Sequence, residues 1–204
     1  MCGRYYLPEE DLPEEWLRLL DTLGEAPEGV NAKTAGEIFP GDTVPVLANS
    51  RALKTRPFYM QWGYHMNDRL IFNARSETAD EKPLFRDGAL ERRCLLPFAH
   101  YFEWEKRGEA LPDVNAGKGP SKKIRYQLHP RGENMAYLAG IYRLEKSGPV
   151  FCVLTRPAEE EIAFIHPRMP VMFSQNTAEE WIRRNGDYRE LLLTACLDTE
   201  YRPG

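Results

Sequence analysis

The residues best equipped for chemistry open the chain: Met1-Cys2-Gly3-Arg4-Tyr5. The small side chain of Cys2 lets an aminopeptidase remove Met1. The mature chain then begins with a thiol and a free α-amine on adjacent carbons. Their reference pKa values are roughly 8.5 and 7.7–8.0, so near neutral pH each keeps a deprotonated, nucleophilic fraction. A 1,2-aminothiol does what neither group does alone. Its amine condenses with an aldehyde to an imine, and its thiol closes onto the imine carbon to give a five-membered thiazolidine. Position alone favours a plainer reading, a cysteine buried as a small apolar residue. The rest of the chain decides between them.

Three further segments embed polar groups in apolar surroundings. Phe72-Asn73-Ala74-Arg75 places an amide and a guanidinium two residues apart, on one side of a strand if the strand runs through them. Tyr101-Phe102-Glu103-Trp104 sets a carboxylate among three aromatics, where desolvation favours its neutral form and fits it for acid work near neutral pH. A structural alternative is an ion pair with Arg92 or Arg93. Ile165-His166-Pro167-Arg168-Met169-Pro170 fixes a histidine and an arginine in a proline-bounded turn. The histidine alone could simply end a helix.

The composition bounds what these groups can serve. The 204 residues suit one domain, 1–204, large enough to bury a core unaided. Apolar residues make up 42% and charged residues 28%, as in an ordinary globular chain. A net charge of −4 offers no global attraction to nucleic acid, so such a partner needs a local basic surface. Cys2, Cys94, Cys152 and Cys196 form no C-x-x-C pair, and His65, His100, His129 and His166 show no paired ligand spacing. Neither a disulfide scaffold nor a metal site is expected, and the chemistry calls for no cofactor. No run has the length of a membrane span and no signal peptide is evident, so a soluble, cytoplasmic protein is expected, nucleoid-associated if bacterial.

The elements that must position these residues follow from the pattern. Trp16, Leu19, Leu20 and Leu23 recur at helical spacing over 9–24, with Trp16 in the core. Residues 25–43 read as mostly loop, and 44–48, 54–65 and 70–72 as strands, with Phe58, Met60 and Trp62 on one face. Residues 94–104 read as one long buried strand, broken or bent at Pro97. The polar stretch 106–123, with four lysines, reads as a long loop. Strands are expected over 124–128, 136–142 and 150–155, and a helix over 158–166 that must stop before Pro167. A capping box at Thr177-Ala178-Glu179-Glu180 opens a helix through Trp181 and Arg184, and Asp187 caps another ending near Leu193. The sum is a single α+β domain with a mixed, largely antiparallel sheet and a few short helices.

Together these segments resemble the SOS response-associated peptidase family of abasic-site-processing, 5-hydroxymethylcytosine-binding proteins. The resemblance rests on Met1-Cys2-Gly3-Arg4, Pro45-Val46, Trp62-Gly63, Asn73-Ala74-Arg75-Ser76-Glu77-Thr78, Arg93-Cys94, Phe102-Glu103-Trp104 and His166-Pro167-Arg168-Met169-Pro170-Val171, in family order. It implies a barrel-like core and a monomer that shields abasic sites in single-stranded DNA. Cys2 would attack the ring-opened sugar aldehyde and form a thiazolidine crosslink. Asn73 would hold the terminal amine and the sugar, Glu103 would shuttle protons, and His166 would act as a second acid/base. Arg4, Arg75 and Arg168 match positions that grip the DNA backbone, and Trp62 and Ser76 join the implied DNA-binding set. Strand cleavage by β-elimination and autopeptidase removal of Met1 are accompanying activities the resemblance carries. Where some members have adjacent tryptophans after the W-G pair, this chain has His65-Met66-Asn67-Asp68.

Two other functions fit part of the pattern. A class II glutamine amidotransferase also begins with cysteine and uses the α-amine as base, but leaves Glu103 and the arginines unexplained. A non-covalent reader of modified bases would need Cys2 only for packing.

Overall fold

Residues 93–98 are buried without a break, and such a run requires cover on both faces of its strand. The computed structural model describes residues 2–10, 12, 14–105, 123–183, 186–196 and 198–204. The first half of the chain forms β1 (Tyr5–Leu7), α1 (Glu14–Leu20), β2 (Gly36–Ile38), β3 (Thr43–Asn49), β4 (Thr55–Trp62), β5 (Tyr64–Met66), β6 (Arg69–Ile71) and β7 (Asn73–Arg75). A 3-10 turn (Ser76–Thr78) leads to α2 (Arg86–Glu91), β8 (Arg93–Phe98) and β9 (His100–Trp104). Then come β10 (Arg125–Pro130), β11 (Ala136–Glu145), β12 (Gly148–Pro157), β13 (Arg168–Pro170) and β14 (Met172–Phe173). The helices α3 (Gln175–Ile182) and α4 (Tyr188–Leu192) precede the last strand, β15 (Thr199–Pro203).

Five strands close on themselves. The pairings β12–β4, β4–β3, β3–β8, β8–β11 and β11–β12 make a ring, with β7, β13 and β14 attached to its rim. A second sheet has the order β15-β10-β9-β1-β2, and β5–β6 is a separate hairpin. All pairings are antiparallel except β12 with β4 and with β7. The fold is therefore α+β with mostly antiparallel sheets around a closed barrel.

Alternation along the ring strands divides the core in two. Val44, Val46, Met60, Leu96, Phe98, Leu138 and Val153 face inward and join Cys2, Tyr5, Tyr101 and Leu128 of the second sheet. Leu47, Leu95, Tyr137, Ile141 and Leu154 face outward and are covered by Trp16, Ala89, Trp181 and Tyr188 from the helices. The inner face is tight. A Cβ on Gly140 would stand 2.7 Å from Cys94 Sγ and 2.9 Å from Leu96 Cδ1.

Several elements differ from the sequence expectation. The apolar run 94–104 is two strands in two sheets, and the break falls at Ala99, not Pro97; Ala99 N–H donates to the Tyr6 carbonyl at 2.9 Å as the chain crosses over. Residues 158–166 form turns, not a helix; Ile162 and Ile165 are their fully buried core residues, and Ala158 packs against the same cluster. The helix expected from a Thr177 capping box begins earlier, after Ser174. Asp187 does cap α4, accepting from the N–H groups of Arg189 and Glu190. Phe58 is 36% exposed, unlike its neighbours Met60 and Trp62. The first helix is confined to Glu14–Leu20, whereas 25–43 is mostly loop as expected, with the short β2 inside it. The lysine-rich stretch lies, but for Lys123, outside the described residues, as does Arg184. Among the described residues no helix is long and apolar enough to cross a membrane.

All four cysteines are free, and burial is the largest cause raising each thiol pKa; Cys2, Cys94 and Cys152 are enclosed fully. In the unfolded chain a thiol ionises near pH 8.5. These groups are thus raised in the folded state: their stabilising share is complete below the unfolded pKa and is lost as pH rises towards the folded value. Each fully buried thiol should cost up to about 1.4 kcal/mol per pH unit above 8.5. Urea midpoints measured at pH 7.5, 8.5, 9.5 and 10 should fall steeply over the last two steps, and Cys94→Ala should flatten that fall. A midpoint constant to pH 10 would contradict the enclosure of the thiols.

Candidate active site

The segment before β1 carries Cys2 to the junction between the barrel and the second sheet, where its side chain is fully buried. β1 is paired on both sides, with β2 and with β9, which anchors the segment. One further bond, from Phe102 N–H to the Arg4 carbonyl at 2.9 Å, extends the β1–β9 ladder towards Cys2.

Asn73 reaches Cys2 from the other sheet. β7 runs parallel to β12, with Asn73 opposite Val153, and Asn73 Nδ2 donates to the Cys2 carbonyl at 2.7 Å. The amide's Oδ1 is buried and accepts no hydrogen bond from the described residues. A buried acceptor left open is costly in a finished core. Here it lies on a side chain already fastened to the residue that carries the reactive groups.

Glu103 stands on β9, 6% exposed, opposite Tyr126 of β10. Both arginines considered for it are engaged elsewhere. Arg93 donates to the carbonyls of Trp181 at 2.7 Å, Ala89 at 3.2 Å, Gly186 at 3.3 Å and Arg183. Arg92 is 3.9 Å from Asp87. Burial, and after it the nearby Glu103 carboxylate, push the Cys2 thiol up to about 12. The thiol is therefore neutral at physiological pH in this arrangement. Any proton it sheds during reaction needs an acceptor, and Glu103 is close enough to be felt electrostatically.

His166 follows the turns that pack Ile162 and Ile165 into the same cluster as Cys2. Its Nδ1 lies 3.0 Å from both the main-chain N–H and the carbonyl of Arg168. As an acceptor Nδ1 takes the N–H; as an imidazolium donor it gives to the carbonyl.

The other singled-out residues divide. Arg75 is exposed, and among the described residues it has no ion pair. Arg168 forms a bidentate pair with Glu77, one arm 2.9 Å long, and also donates to the Thr155 carbonyl at 2.6 Å and hydroxyl at 3.1 Å. These bonds to Arg168 are the first cause holding the Glu77 carboxyl below its ordinary range. Arg4 pairs with Glu37 at 3.1 Å. Ser76 is buried, and its carbonyl accepts from Tyr188 Oη at 2.9 Å, which fixes the turn after Arg75. Trp62 is fully enclosed: its Nε1 donates to the Phe72 carbonyl at 2.9 Å, and its ring packs against Tyr5, Phe72 and Phe151. It is a core residue, since no face of it reaches the surface. Gly63 beside it has φ +122°, and a Cβ there would meet Leu70 Cγ at 2.4 Å, so the W-G pair is a packing requirement.

Sequence reasoning passed over Glu77 and Thr155, which hold Arg168. The signal for Glu77 was present: an acid within a string that otherwise offers Asn73 and Arg75. Nothing in the sequence marked Thr155, which is fully buried on β12.

Comparison with known proteins gives the chain's family and fold. YobE of Bacillus subtilis, called an abasic site processing protein, is 30% identical over 210 residues, covering 95% of this chain and 88% of its own. YedK of Escherichia coli, called the same, is 25% identical, covering 90% and 80%. A solved phage-related protein of Bordetella bronchiseptica shares the fold with a TM-score of 0.71 at 20% identity, covering 100% of this chain and 94% of its own. A family profile described as SOS response associated peptidase (SRAP) matches residues 1–202, and the chain belongs to that family.

Proposed function

We propose that this protein processes abasic sites in single-stranded DNA by condensing the Cys2 aminothiol with the ring-opened sugar. The observation that carries the reading is the Asn73 clasp. One amide atom fastens the Cys2 carbonyl while the other, buried and open, is an acceptor for the α-amine that removal of Met1 would create. The relatives' names give the substrate class, and the chain's own residues supply the chemistry.

The steps balance without a cofactor. The amine adds to the sugar aldehyde carbon, and loss of one water leaves an imine. The Cys2 sulfur then adds to the imine carbon while its proton passes to the nitrogen, closing the thiazolidine. Glu103 moves protons at the sugar oxygen and the thiol. His166 serves as the second acid/base, its ring positioned by the Arg168 main chain at Nδ1. The imine stage acidifies the neighbouring sugar C–H, so slow β-elimination is a side path. Autopeptidase release of Met1 is not required, because an aminopeptidase suffices.

Incubating the protein with abasic single-stranded DNA should give one new species whose intact mass is the sum of the two less one water. A chain that lacks Met1 and gives no such species sinks the proposal.

Arg4, Arg75 and Arg168 form the proposed phosphate-facing set. Arg75 is the simplest to test because it is exposed and unpaired among the described residues. Arg75→Ala should weaken binding and reduce the slope of log affinity against log salt by about 0.7, one phosphate contact on a single strand. An unchanged slope would remove Arg75 from the interface. Arg168→Ala confounds grip with structure, since it also frees Glu77 and Thr155.

A further inference from the structure

We infer that Arg4 and Arg125 form a phosphate site that Glu37 occupies in the DNA-free protein, so that Glu37 acts as a built-in competitor of the nucleic acid. The inference rests on the proposed binding of single-stranded DNA and adds two residues to it.

The geometry is a clamp. Glu37 Oε2 lies 3.1 Å from Arg4 and Oε1 lies 3.1 Å from Arg125. Two oxygens on one central atom, each met by its own guanidinium, is the arrangement that two non-bridging oxygens of a phosphodiester present. The three side chains are partly exposed, at 27%, 33% and 33%, so an incoming anion can reach them. An exposed ion pair of this kind is worth little, which makes it exchangeable.

What keeps the guanidiniums in place is not Glu37 alone. The Arg4 guanidinium lies 4.4 Å from the Phe39 ring centroid and 5.0 Å from that of Trp104. That of Arg125 lies 4.6 Å from the centroid of Phe102. These faces hold the cations without neutralising them. If the carboxylate swings away, two oriented and uncompensated charges remain. They lie close in the chain to the reactive residues, Arg4 two positions from Cys2 and Trp104 next to Glu103, but on the face of the second sheet opposite the Glu103 side chain. The arrangement crosses the second sheet from β10 through β9 and β1 to β2. Cations backed by aromatic rings along a strand path suit a single-stranded phosphate backbone.

Glu37 then has a use. It screens the site until a polyanion outcompetes it, and it raises the concentration of DNA, or lowers the salt, at which the clamp engages.

The test is non-covalent binding of an unmodified single-stranded oligonucleotide across a salt series, using the full chain and the variants Glu37→Gln, Arg125→Ala and the double variant. Glu37→Gln should bind roughly 2- to 10-fold tighter, the worth of the ion pairs it no longer makes. Arg125→Ala should weaken binding and reduce the salt slope by about 0.7. In the double variant the gain from Glu37→Gln should shrink, because one of the two guanidiniums it competes for is gone. If Glu37→Gln binds no tighter, or if Arg125→Ala leaves the slope unchanged, the clamp is only structural. If the parent chain does not bind the oligonucleotide at all, the failure belongs to the proposed function. Thermal melting of each variant separates lost binding from lost fold.

Discussion

A chain that keeps Met1, or carries one added residue before Cys2, should form no denaturant-resistant adduct with abasic DNA, while the processed chain crosslinks to completion. The reason is chemical. With the Cys2 nitrogen tied up in a peptide bond no imine forms next to the thiol, an imine at the added residue cannot close to a thiazolidine, and the thiol alone gives only a reversible hemithioacetal. Cys2→Ser tests the other half. It keeps the amine, so the Schiff base still forms and borohydride traps it, but a hydroxyl closes onto an imine far less readily than sulfur. The stable adduct should disappear and slow strand cleavage by β-elimination should appear. Gel mobility in denaturant, with and without borohydride, reads all three outcomes. An extended chain that crosslinks as fast as the processed one would end the aminothiol mechanism. Free glutamine serves as a control, since hydrolysis of its carboxamide would indicate an amidotransferase.

Glu103→Gln should be a different lesion. The nucleophile and its Asn73 clasp stay in place, but the group that carries protons between thiol and sugar is lost. General acid–base assistance is worth roughly 10²–10⁴-fold, and both formation and reversal of the link should slow by that order. The substitution also removes the charge that, after burial, raises the Cys2 thiol pKa. A thiol that ionises more readily would partly offset the loss at high pH, so the deficit should be largest at neutral pH and narrow as pH rises. Rates in both directions from pH 6 to 9 give the test. If Glu103→Gln matches the parent in both directions at every pH, Glu103 serves packing and the proton carrier must be sought at His166.

Much of the site was legible in the sequence because chemistry leaves local marks. A cysteine after the initiator, an amide and a guanidinium two residues apart, and a carboxylate among aromatics are each visible within five residues. The strand β7 does carry Asn73 and Arg75, and Asp187 does cap a helix, since capping depends on neighbours along the chain. Composition and alternation were enough for an α+β class with antiparallel strands.

What the sequence could not determine was long-range. Residues 94–104 read as one mainly apolar run, yet they split between a barrel and a second sheet, because each half is paired with strands distant in the chain. Trp62 looks like a surface aromatic in a motif but is enclosed by Tyr5, Phe72 and Phe151, three residues from three separate segments. Arg168 reads as a free cation until folding sets it against Glu77, 91 positions away. Residues 158–166 have helical spacing, yet they form turns that bury Ile162 and Ile165 in the core and pack Ala158 against the same cluster. The chain by itself determined which groups could react with an aldehyde. Only the tertiary structure brought Asn73 to the carbonyl of Cys2 and Glu103 close enough to shift its thiol, because the nearer of the two in sequence, Asn73, is already 71 positions away and in another sheet.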